Sequence, residues 1–97
     1  MDYATHYKLE KPISVRTYVR IVQAAETIRE RYGSSIDLTL RQSESLSTEI
    51  SCFDLLGLIQ STVGRNTVSK IEIMARGSSE EAVLRDCTQR ISSVFRE

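Results

Sequence analysis

Ser69-Lys70-Ile71-Glu72-Ile73-Met74-Ala75-Arg76-Gly77 carries one periodicity, and the residues after it carry another. Ser69, Ile71, Ile73 and Ala75 alternate with Lys70, Glu72 and Met74, the pattern of a strand with two unlike faces. Gly77-Ser78-Ser79 then opens a helix, with Ser78 and Glu81 at the spacing of a capping box. Val83, Leu84, Cys87, Ile91, Val94 and Phe95 continue as a helical stripe. A strand apolar on one side, followed by a helix apolar on one side, requires a second layer to bury both.

Outward from that stretch the same two periods recur. Asp54 predicts the N-cap of a short helix from Leu55 to about Thr62, with Gly64-Arg65-Asn66 as the turn after it. Ile36, Leu38 and Leu40 alternate with Asp37, Thr39 and Arg41 as a second strand. Leu46, Thr48, Ile50 and Cys52 share a face of a third, and Gln42-Ser43-Glu44-Ser45 joins the two as a hairpin loop of about four residues. From about Thr17 to Tyr32, Tyr18, Ile21, Val22, Ala25, Ile28 and Tyr32 form the apolar stripe of a long helix, which Gly33 ends as a left-handed C-cap. Tyr3, Thr5, Tyr7 and Leu9 alternate with Ala4, His6 and Lys8, and Pro12 lies beyond the end of that first strand because it has no amide hydrogen for a ladder. The order is β-α-β-β-α-β-α, a two-layer α+β sandwich in a single domain spanning residues 1–97.

Composition narrows the class. Of 97 residues 40% are hydrophobic and 27% charged, which suits one small folded domain and excludes a disordered tail. Thirteen basic residues balance thirteen acidic ones, so no global field draws the chain to nucleic acid or an anionic membrane. The densest apolar stretch, Leu55, Leu56, Leu58 and Ile59, is far short of the ~20 residues of a membrane span. The opening Met1-Asp2-Tyr3-Ala4-Thr5-His6 is unlike a secretory signal. Cys52 and Cys87 fit a reducing compartment, and the expected location is the cytoplasm.

The order of elements and several stretches together resemble the HPr family, the small histidine-phosphorylated carriers of the bacterial phosphotransferase system. The stretches are Val22-Gln23-Ala24-Ala25, Leu55-Leu56-Gly57-Leu58-Ile59, and Ile71 to Gly77 followed by Ser79-Glu80-Glu81-Ala82. The resemblance covers nearly the whole chain, with about one extra helical turn near Arg29–Tyr32. It implies an open-faced sandwich, a four-stranded antiparallel sheet covered on one side by three helices. The family's phosphoryl acceptor is a histidine at the start of the first helix, in a run of His, small residue, Arg, Pro. Here that run is Ser14-Val15-Arg16-Thr17, so Ser14 stands at the acceptor position, Thr17 at the proline and Arg16 is kept. Helix-start amides and a guanidinium suit a phosphoryl group, yet a serine ester does not pass its phosphoryl group on as phosphohistidine does. The only histidine, His6, lies in the first strand and reads as a surface residue.

By itself Ser14 is an N-cap; phosphorylation and passive binding of an anion at this helix start are the functional alternatives, with Arg16 as the anion contact. The family's regulatory serine corresponds to Asp54, or in another register to Cys52; Asp54 is equally a plain N-cap. Its single negative charge partly resembles a phosphoserine. The resemblance implies partner docking through Val15, Val19, Gln23, Leu56 and Ile59, against the alternative that these side chains belong to the core. No Cys/His spacing suits zinc, no phosphate loop is present, and Glu80-Glu81 is explained by the helix dipole. The expectation is a non-enzyme without cofactor or metal. It binds protein partners, either phosphotransferase components or a transcriptional regulator, and neither nucleic acid nor membrane. The alternatives are a carrier or signalling substrate phosphorylated on Ser14 or Ser51, and an unrelated small α+β binding module for a metabolite or RNA.

Overall fold

Strand β4 (Lys70–Arg76) lies between two neighbours and pairs antiparallel with both, β1 (Asp2–Lys8) on one side and β2 (Asp37–Gln42) on the other. Strand β3 (Ile50–Ser51) adds to the far edge of β2, giving the order β1-β4-β2-β3. The helices are α1 (Val15–Tyr32), α2 (Leu55–Gln60) and α3 (Glu81–Val94). The computed structural model describes residues 1–42, 48–61 and 70–96. The expected hairpin loop at 43–45, Leu46, the end of the short helix at Thr62, the turn at 64–66 and Ser69 lie outside the described residues. The element order is the expected β-α-β-β-α-β-α, and the sheet is open on one side.

Alternation sorts the two faces. Ile71, Ile73 and Ala75 of β4 and Leu38 and Leu40 of β2 have no exposed surface, and they face the helices. Tyr18, Ile21, Ala25 and Ile28 of α1 and Leu84, Cys87 and Ile91 of α3 close over them, with Leu58 of α2. Each such Leu or Ile contributes about 1.5–3 kcal/mol when fully buried. Val22, expected in this stripe, is only half-buried and packs on the margin of the core. On a helix its position turns it toward the flank, where the sheet no longer covers it.

The outer face is polar and organised by register. His6 and Arg41 both stand opposite Glu72. His6 Nε2 lies 3.3 Å from one carboxylate oxygen, and Arg41 Nε 2.8 Å from the other. The Arg41 N–H does not line up on that oxygen, so the contact is an ion pair without an aligned hydrogen bond. Further along, the Arg76 guanidinium donates to both oxygens of Glu49, at 2.8 and 3.1 Å, and to Asp2 at 3.2 Å.

Two expectations about caps change. Ser78 and Glu81 do not form a capping box: the Ser78 hydroxyl accepts the Glu80 amide at 3.0 Å, a tight turn, and α3 begins only at Glu81 without a side-chain cap. Gly33 has the positive φ expected of it, 105°, but its ψ of 165° sends the chain outward instead of into a left-handed helical turn. Gly77 also has positive φ, 102°, and its α-carbon faces the Ser35 carbonyl, which a Cβ would meet at 2.0 Å. Only glycine lets the exit of β4 lie against the entry of β2.

The two glycines separate strain from crowding. Gly33→Ala, with nothing near its Cβ, should lose about 1–3 kcal/mol from backbone conformation alone. Gly77→Ala should lose at least about 3 kcal/mol, because backbone atoms block it as well. Urea unfolding of both variants checks the order.

A second outcome concerns acid. The hydrogen bonds from Arg76 hold the Glu49 carboxyl below its ordinary value, and bonds from Arg90 and then Tyr32 do the same for Asp86. A carboxylate whose folded pKa is depressed stabilises the fold above its unfolded value, and that share fades as pH falls through the folded one. Stability should therefore decline below about pH 4–5. In Arg76→Gln the Glu49 share of that decline should vanish, as urea midpoints measured against pH would show.

Candidate functional site

Two helix starts carry the sequence's candidate residues, and both are built around a side-chain cap. Ser14 holds an extended backbone, φ −83° and ψ 161°, and its hydroxyl accepts the Thr17 amide at 3.2 Å. The same oxygen shares a hydrogen bond with the Thr17 hydroxyl at 3.0 Å. The Ser14 carbonyl accepts the Tyr18 amide at 3.1 Å, closing the first turn. Ser14 is thus both exposed and already used by the backbone it precedes.

At α2, the Asp54 carboxylate accepts the Gly57 amide at 3.0 Å and its carbonyl the Leu58 amide at 2.9 Å. A Cβ on Gly57 would meet the Asp54 carboxylate oxygen at 2.4 Å, so the glycine leaves the space in which the cap folds over. Asp54 is exposed, whereas Cys52, its rival in register, is fully buried. Burial, and next the charge of Asp37, push the Cys52 thiol far above its usual range. Ser51 is half-buried with its hydroxyl accepting the Phe53 amide at 3.1 Å.

The proposed docking side chains divide by exposure. Leu56 is 64% exposed and Val15 57%. Gln23 is also exposed, and Val19 is half-buried. Ile59 packs partly on the core, as Leu55 does, while Leu58 is buried outright. Val15, Val19 and Gln23 recur every four residues and so share one side of α1. The helices α1 and α2 pack against each other. Two contacts unforeseen from sequence hold α1 in place, one beside α2 and one against α3. Arg29 stacks its guanidinium 3.5 Å over the Phe53 ring, just ahead of α2, and donates to the Ile36 carbonyl at 3.1 Å. Tyr32, in the extra turn of α1, donates to Asp86 at 2.5 Å, and Arg90 meets the same oxygen at 2.8 Å. Both are contacts between residues distant in sequence or off the apolar stripe, so no local period signals them.

Arg16 is exposed and borders an open cleft of about 430 Å³ between the start of α1 and the end of α3. Lys11 and Arg20 add positive charge to the same cleft, and Pro12, Ile13, Val94 and Phe95 supply apolar wall. His6 takes no part: it sits on the outer face of the sheet, beside Glu72, with the sheet between it and α1. Among the described residues no cluster of His, Cys, Asp and Glu could hold a metal ion, and no helix is long and apolar enough to cross a membrane.

Neither a protein-family model nor a curated protein sequence matches this chain. A crystal structure of the phosphocarrier protein HPr from Bacillus anthracis str. Ames superposes on it with a TM-score of 0.55, over 90% of this chain and 95% of that one. The fold is HPr-like. At 18% identity the likeness is one of architecture, and the residues at the helix starts must be judged on their own chemistry.

The caps can be measured directly. Ser14→Ala and Asp54→Ala should each lose about 1 kcal/mol, the ordinary worth of an N-cap, while Ser14→Asp should keep most of it. Equilibrium unfolding in urea gives all three values.

Proposed function

We propose that this HPr-like protein acts by docking to a protein partner and does not relay phosphoryl groups through histidine. The observation that carries the reading is the cap of α1: the side chain there is the Ser14 hydroxyl, bound to Thr17, and the one imidazole lies across the sheet. A relay needs a nitrogen nucleophile that takes a phosphoryl group through a labile N–P bond and gives it up readily. A serine hydroxyl forms a stable ester, which suits a mark and not a relay.

What supports docking is apolar surface where the chain has no need of it. Leu56 and Val15 are among the few large apolar side chains left in water, on two helices that pack together. Apolar side chains displayed on packed helices suit a protein partner better than a small substrate. The partner is a protein that reads the shape of this fold, a phosphotransferase component or a transcriptional regulator, and the working compartment is the cytoplasm. Val19, Gln23 and Ile59 complete the contact surface, and Asp54 supplies a fixed negative charge at its edge.

Incubation with phosphoenolpyruvate and the general phosphotransferase enzyme should leave the chain unmodified; an acid-labile, base-stable phosphoryl group would overturn the proposal. Leu56→Asp should abolish capture of the partner, since it sets an unpaired carboxylate against an apolar surface. Its melting temperature should stay within a few degrees of the parent, because an exposed residue contributes little to folding. Ile21→Asp, in the core, gives the scale of a true folding defect. A loss for Leu56→Asp as large as that would assign Leu56 to the core and remove it from docking.

A further inference from the structure

The sheet ends in two unlike edges. On one side β3 has only two residues, a short edge of the kind that resists pairing with another chain. On the other, β1 runs for seven residues in unbroken register with β4, without a bulge or a proline. Among the described residues no backbone hydrogen bond reaches the outer side of β1, so a row of N–H and C=O groups is left to water. The sequence of this strand is complementary to itself. Turned antiparallel about Thr5, it sets Asp2 opposite Lys8 of a second copy, Tyr3 opposite Tyr7, and Thr5 opposite Thr5. Asp2 and Lys8 are both exposed on the open face of the sheet. Lys8 stands across from Lys70 within its own sheet, a like-charge pair that an acidic residue on the outer side relieves. Asp2 meets Arg76 through one carboxylate oxygen, which leaves the other for a second cation.

We propose that the chain forms a two-fold dimer in which β1 pairs antiparallel with β1 of a second copy, centred on Thr5. Each pair in this register joins two even-numbered or two odd-numbered residues. Backbone groups that point outward on one strand therefore face those that point outward on the other. Side chains obey the same parity. Tyr3, Thr5 and Tyr7, half-buried toward the helices, meet one another, and the exposed row of Asp2, Ala4, His6 and Lys8 meets its own copy. Helix α3 packs over β1 and β4 alike. Strands about 4.8 Å apart across the axis thus bring the two α3 helices to about 10 Å, an ordinary packing distance. A foreign strand lacks this match of charge and register, which is what selects a second copy as the occupant. The edge lies at the far side of the sheet from β3, against which α2 packs, so the dimer leaves Leu56 uncovered. The inference stands apart from the docking reading, and either can fail without the other.

The test is sedimentation equilibrium of the full chain from about 10 μM to about 1 mM, the range suited to an interface at the small end of specific contacts. The mean mass should rise from the 11.0 kDa of one chain toward that of two. Lys8→Asp sets two acidic pairs across the axis and should weaken the dimer about tenfold. It spares the fold, since it also removes the like charge facing Lys70. Exchanging both charges, Asp2→Lys with Lys8→Asp, should restore association. Cross-linking with oxidised glutathione checks the register, since the native Cys52 and Cys87 are buried. Thr5→Cys should link, because residues directly opposite have α-carbons about 4.5–5.5 Å apart. Ala4→Cys faces His6 instead of itself, beyond the ~7 Å limit of a disulfide, and should not link. A constant mass of one chain, undiminished association of Lys8→Asp, failure of the charge exchange to restore it, or equal linking of the two cysteine variants would each overturn the proposal. A chain that stays monomeric but takes an unrelated extended peptide along β1 would overturn it in favour of a foreign strand.

Discussion

Everything in this fold hangs on the inner face of β4. Ile71, Ile73 and Ala75 have no exposed surface, and their strand pairs over most of its length with both β1 and β2. It is also the last strand in the chain, so β1 has no neighbour until β4 has been placed. Loop closure between such distant segments costs entropy before any contact returns it. Glycine at 77 permits the closure, because the end of β4 must pass the Ser35 carbonyl at a distance that no side chain allows. The cleft between α1 and α3 inherits the same dependence. Its two walls come from opposite ends of the chain, and the sheet holds them in place.

Much of this was legible in the sequence, for a definite reason. Strand alternation and helical stripes are local signals, and here the apolar side of each element faces one common core. The helix starts at Ser14 and Asp54 were legible for the same kind of reason, since both residues serve as caps through bonds three positions along. Ser78 misled because its capping-box spacing is satisfied equally by a turn that ends before the helix begins. Periodicity did not single out the outward turn of Leu56, because Leu55, Leu56, Leu58 and Ile59 offer no polar contrast by which to rank them; only the family resemblance pointed to it. Arg29 on Phe53, Tyr32 on Asp86 and the cleft were not legible, since each depends on residues that meet only in the folded chain.

Energy separates the fold from its chemistry. The core rests on more than ten buried aliphatic side chains, each worth about 1.5–3 kcal/mol. The cap at residue 14 is worth about 1 kcal/mol and accepts Ser, Thr, Asp or Asn almost alike. The side chain at that point can therefore differ from imidazole with almost no effect on the shape around it. A partner that recognises shape, through side chains such as Leu56 and Val15, is indifferent to that change. A phosphoryl donor is not, since its reaction needs the imidazole nitrogen itself. An HPr-like body with a serine at this helix start thus keeps its shape while the chemistry at that one point changes, and that separation is the ground on which the docking proposal stands.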